Sequence, residues 1–236
     1  MTTPTPTSGT PIDRLLAAVT AGREQEVADL LAAGTDPNGT DAAGLLTPLL
    51  VVAKTTHEGI ARRLLAAGAQ VGKANADQVT PLHWAAARQK IEMARLFLAA
   101  GASVHVVERD GWTPLHWAAY RGAAELVALF LDAGAAVNQP DKDGWAPLHL
   151  AAQQGHVAAV RCLLERGADP ARPDPDGRLA VDLAAGRGYS DVVALLPGRP
   201  TAAVPPPASD GGRAGPRRMR RPGARGSLPT SCRSDS

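Results

Sequence analysis

Residues 110–138 read DGWTPLHWAAYRGAAELVALFLDAGAAVN, and this stretch decides the fold. Thr113 stands where a helix needs an N-cap oxygen, and Pro114 takes the first helical position, where its missing N–H is not needed. Ala118-Ala119 keeps this first helix thin, so a neighbouring copy can approach closely. Gly122 permits a tight turn into a second helix. That second helix carries Leu126, Val127, Phe130 and Leu131 at helical spacing and stops at Gly134, a residue suited to the left-handed position after a helix. Asp110-Gly111 is a turn dipeptide ahead of the pair. Two short helices cannot bury such a face alone, so the unit demands neighbours.

The neighbours are present. Thr113-Pro114-Leu115-His116 recurs as Thr47-Pro48-Leu49-Leu50, Thr80-Pro81-Leu82-His83 and Ala146-Pro147-Leu148-His149, and more weakly as Leu179-Ala180-Val181-Asp182. Each step is 33 residues. A second marker, Gly-Ala, falls at 68, 101, 134 and 167 with the same period, and Gly34 precedes that series by 34. Two unrelated markers on one period define a repeat array. Helix pairs are expected over 12–34, 47–68, 80–101, 113–134, 146–167 and 179–196. The first and last depart most from the motif, as capping units do. The second also departs: Leu50 replaces the motif His, Lys54 follows the small-residue pair, Thr56 takes the turn Gly position, and Leu45 and Leu46 stand in its turn.

With DGWTPLHWAAYRGAAELVALFLDAGAAVN and DGWAPLHLAAQQGHVAAVRCLLERGADP (143–170) as its best copies, the chain resembles the ankyrin-repeat family over Ile12 to Pro197. The resemblance implies an all-α solenoid of about six stacked helix-turn-helix units with short hairpin fingers. The units fall at about 12–42, 43–76, 77–109, 110–142, 143–175 and 176–197, with disordered segments at 1–11 and 198–236. It also implies a protein–protein interaction module or scaffold, acting through the concave face.

Composition sets the outer bounds. The chain has 236 residues, 44% hydrophobic and only 3% aromatic, so the core is built from Ala, Leu and Val. No 18-residue apolar run suggests a transmembrane helix. Met1–Pro11 lacks the basic and apolar regions of a secretory leader, so a cytoplasmic location is expected. Two cysteines, Cys162 and Cys232, exclude a disulfide scaffold. From Gly198 onward eight Arg stand against two Asp, a net +6, so the remainder carries −4 of the total +2. The Pro/Arg-rich tail has few large apolar side chains, and disorder is expected there. Its cluster Arg217, Arg218, Arg220 and Arg221 suits a non-specific charge contact with nucleic acid or an anionic membrane, the alternative function to partner recognition. It lacks an aromatic residue for base stacking.

Chemistry is sparse. His83, His116 and His149 form a column, but equivalent positions in stacked helices lie about 8–10 Å apart, too far to share a zinc ion bound at about 2.0–2.1 Å. In the family this His is a structural hydrogen-bonding residue. Asp77, Asp110, Asp143 and Asp176 form a second column, read as turn residues. Cys162 reads as a small buried hydrophobe, His57 and His156 as helix-start residues, and Trp84 and Trp117 as packing between first helices. No catalytic, metal or cofactor site is expected, and the protein is read as a non-enzyme and a monomer. By resemblance, the variable surface comprises the turn pairs Arg109-Asp110 and Lys142-Asp143, the residues after the turn Gly (Trp112 and Trp145), and the pairs Ala87-Arg88, Tyr120-Arg121 and Gln153-Gln154. Trp, Tyr and Arg are enriched in binding hot spots. The expected partner site is therefore an exposed Trp112–Trp145 patch with Tyr120, Gln153 and Gln154, rimmed by Arg88, Arg109, Arg121 and Lys142.

Overall fold

The computed structural model describes residues 9–198. The tail candidates Arg217, Arg218, Arg220 and Arg221 lie outside them. The described chain is helical, with no strand. Its helices come in consecutive pairs. These are α1 (Pro11–Ala21) with α2 (Glu24–Ala32), α3 (Pro48–Val52) with α4 (Glu58–Ala66), and α5 (Pro81–Ala87) with α6 (Ile91–Ala99). Then follow α7 (Pro114–Arg121) with α8 (Ala124–Asp132), α9 (Pro147–Gln154) with α10 (Val157–Glu165), and α11 (Ala180–Ala185) with α12 (Ser190–Val193). First helices pack on first helices and second helices on second helices of the next pair.

Period and burial agree. Leu49, Leu82, Leu115 and Leu148 repeat at one place in the first helices and are at most 2% exposed. Leu30, Leu64, Phe97, Phe130 and Leu163 form the matching buried column of the second helices, and Leu196, just past α12, continues it. Each such side chain contributes about 1.5–3 kcal/mol by leaving water. The Ala pairs are wholly buried between first helices, as at Ala85-Ala86, Ala118-Ala119 and Ala151-Ala152. Gly122 and Gly155 close the first helices at φ 69° and 77°. A Cβ at either would overlap the ring of His156 or Tyr189, so the next pair also requires Gly there.

The ends and the second pair differ from expectation. Pro11 opens α1, and Thr10 caps it: Thr10 Oγ1 accepts from the Asp13 N–H while Asp13 accepts from the Thr10 N–H. Segment 1–11 therefore enters the fold at its last two residues, because Thr-Pro-x-Asp is a starting signal one turn earlier than in later units. Helix α3 is only five residues long. With Thr56 at the glycine position and not among the positive-φ residues, the chain leaves the first helix through a longer turn.

Candidate functional site

Tight fingers join the pairs, and each is built around one buried or half-buried side chain. Asp141 Oδ1 accepts from the N–H groups of Asp143 (3.0 Å) and Trp145 (2.8 Å). Asp174 does the same for Asp176 and Arg178, Asn75 for Asp77 and Val79, and Asp41 for Leu45 and Leu46. This column, two residues before the Asp77–Asp176 series, holds the turns; sequence reasoning passed over it because its member at 108 is Glu. The series that was singled out faces outward, with Asp77 and Asp176 paired to Arg109 and Arg178. Fingers also bond to each other: Arg109 N–H donates to Asp77 O and Lys142 N–H to Asp110 O.

Trp112 and Trp145 do not form an exposed patch. Each is 5% exposed. Trp112 Nε1 donates to Asp141 Oδ2 at 2.9 Å, and its ring lies 4.8 Å from Trp117 and 5.6 Å from Tyr120. Trp145 lies 6.0 Å from His149 under Arg178. One carboxylate holds both: Asp141 Oδ1 draws in the Trp145 N–H, and Asp141 Oδ2 takes the Trp112 indole from the neighbouring finger. Two rim cations are likewise engaged. Arg109 pairs with Asp77 at 3.0 Å, and Lys142 Nζ donates to Arg109 O at 2.6 Å. Gln153 is buried, not a surface contact. Of the expected surface, Arg88 and Arg121 are exposed and Tyr120 and Gln154 half-buried, all at the ends of first helices.

The histidine column works as internal ties. His83 Nδ1 accepts from the Thr80 N–H (3.1 Å) and lies 2.9 Å from Thr80 Oγ1, while Nε2 donates to Trp112 O (3.0 Å) in the next finger. His116 repeats this with Thr113 and Trp145, and His149 with the Ala146 N–H and Arg172 O. Both nitrogens of each ring are used, and the rings are neutral. Burial pushes His83 and His116 down to about 4 and lowers His149. His156 Nε2 bonds Tyr120 O, a further tie between pairs. Among the described residues no group of three or more His, Cys, Asp or Glu is placed to hold a metal ion. Cys162 is half-buried in α10, more exposed than expected, and burial raises its thiol.

One cluster escaped the sequence reading. Lys54 Nζ lies 4.1 Å above the Trp84 ring, and the Arg88 guanidinium 5.8 Å from the same ring. Lys54 stands in 33-residue register with Ala87, Tyr120 and Gln153, a signal that was available in the spacing.

Paired helices stacked through repeated buried columns, with fingers tied from one turn to the next, define a helical repeat protein. The family described as ankyrin repeats in three copies matches residues 15–108, 86–174 and 122–201. The chain therefore belongs to the ankyrin-repeat family, whose repeats are in general protein–protein interaction modules. No curated protein matches the chain. Among the described residues no helix is long and apolar enough to cross a membrane.

Proposed function

We propose that this chain is a non-catalytic recognition module: an array of six ankyrin units that binds a partner protein through its concave face. On that face the exposed ends of the first helices present Arg88, Tyr120, Arg121 and Gln154. The observation that carries the reading is the division of labour at these ends. Trp112, Trp145, the motif histidines and the finger carboxylates are spent on internal bonds, which leaves side chains on rigid supports with few bonds of their own. Such supports lose little entropy on binding. The same division disfavours catalysis, because His83 and His116, whose proton affinities fall to about 4, are structural acceptors and donors.

Affinity capture with the full chain, read by mass spectrometry, tests this. A protein retained by the parent and by Trp145→Phe, but lost with Tyr120→Ala/Arg121→Ala, is the expected result. A protein retained by that double variant and lost when the chain ends at Pro197 would transfer the function to the basic tail.

A further inference from the structure

Lys54 and Arg88 share one indole, yet neither has an ion-pair partner among the described residues. Lys54 is half-buried. A partly buried ammonium is ordinarily paired, and an indole face supplies only about 0.5–2 kcal/mol in its place. The carbonyls at the ends of α3 and α5 each favour a nearby cation. They do not explain two cations on one ring, where burial and the charge of Arg88 make Lys54 easier to deprotonate. Asp41, the nearby opposing charge, has its Oδ1 committed to the amides of Leu45 and Leu46. Trp84 Nε1 beneath the cations is buried and has no hydrogen-bond acceptor. Arg121, exposed, stands where Arg88 stands, one repeat along.

We propose that Lys54, Trp84 and Arg88 form the anchor for an acidic peptide of the partner. One carboxylate sits between the ammonium and the guanidinium, and a second meets Arg121. The proposal rests on the recognition face described above and names the chemistry of what it binds. Adjacent first helices are about 8–10 Å apart. A polyproline-type strand returns to the same face every third residue after about 9 Å. Glu-x-x-Glu in that conformation therefore matches the step from Arg88 to Arg121. Exposed rim charges contribute mainly to encounter rate and salt dependence, whereas the half-buried Lys54 contributes to residence time.

The test uses the full chain and two fluorescein-labelled peptides, a short repeat of Glu-Pro-Pro and the same repeat with Gln for Glu, followed by anisotropy. The Glu peptide should bind about tenfold tighter or more. Lys54→Met/Arg88→Gln should remove most of that preference, leaving only what Arg121 supplies, and Arg62→Gln/Arg95→Gln on the second helices should leave it intact. Arg88→Gln alone changes only an exposed residue and should remove part of the preference, which keeps the test decisive if Lys54→Met fails to fold. The Trp84 indole N–H resonance should move on titration. Equal binding of both peptides, weakened by Tyr120→Ala, would sink the acidic anchor and leave the recognition face standing. Glu-peptide binding indifferent to Lys54 and Arg88, or absent at about 1 mM, would overturn the proposal, while the capture experiment separately judges the face.

Discussion

At the scale of single residues, the departures of Ala146 and Glu108 from their columns each have a measurable cost. Thr80 and Thr113 place Oγ1 at 2.9 and 2.7 Å from the motif His Nδ1, whereas Ala146 offers only its backbone N–H to His149. Ala146→Thr should stabilise the protein by about 1 kcal/mol, the usual worth of an N-cap hydroxyl. A urea midpoint no higher than the parent's would remove the cap argument. Glu108 occupies the finger position held elsewhere by Asp or Asn and is 8% exposed. Its longer side chain makes neither of the amide bonds that Asp141 makes. Burial and the neighbouring Asp110 carboxylate raise it from 4.5 to about 7. A carboxyl raised on folding adds stability that is complete below about pH 4.5 and is lost as pH rises through about 7. Glu108→Asn, with the short oxygen restored, should add about 1 kcal/mol at pH 7.5. An unchanged or lower midpoint there would mean the finger does not use an Asx oxygen at this position.

Elements were legible where local chemistry repeats. The Thr-Pro starts, the Gly turns and the apolar columns located the helix pairs wherever they are present, because each marker acts within its own unit. What was not legible depends on the next unit. The direction of Trp112 is set by Asp141, 29 residues away, and that of Arg109 by Asp77, 32 residues away. Their place after the turn Gly, variable by resemblance, and their residue type made Trp112 and Trp145 surface anchors, while a carboxylate two residues outside the examined column drew them inward. The loops after the second helices show the same dependence. Asn38 donates to Gly68 O and accepts from Gln70 N–H, and Asn138 does the same with Gly167 and Asp169. The two intervening repeats have Gly72 and His105 at that place, both exposed. His105→Asn should complete a third clasp, with Gly134 O and the Ala136 N–H as partners, and stabilise by about 1 kcal/mol. Slower amide exchange at Ala136 is the direct readout, and unchanged exchange would count against the clasp.

At the scale of the molecule, stability is a chain of nearest-neighbour interfaces, and the histidine ties lie across them. His83 joins the third pair to the Trp112 carbonyl, and His116 joins the fourth to the Trp145 carbonyl. Both rings accept at Nδ1, so protonation there would put a donor against the Thr80 or Thr113 N–H. Their proton affinity falls from an ordinary 6.5 to about 4 on folding. A base lowered on folding gives stability that is complete above about pH 6.5 and is lost as pH falls toward 4, because the unfolded chain binds the protons first. Each ring contributes a slope of up to about 1.4 kcal/mol per pH unit within that window. Glu108 acts in the opposite direction between 4.5 and about 7, and therefore masks part of the slope in the parent. Glu108→Gln should steepen the fall in urea midpoint between pH 6.5 and 5, and His83→Gln in that background should flatten it by about one proton's worth. Because the two histidines tie successive interfaces in the middle of the stack, acid should open the array there first, with early loss of amide protection in α5 and α7. A midpoint independent of pH from 7 to 4.5 in Glu108→Gln would show that the ties do not hold the rings neutral, and with that the account of the column as the internal fastening of this array would fall.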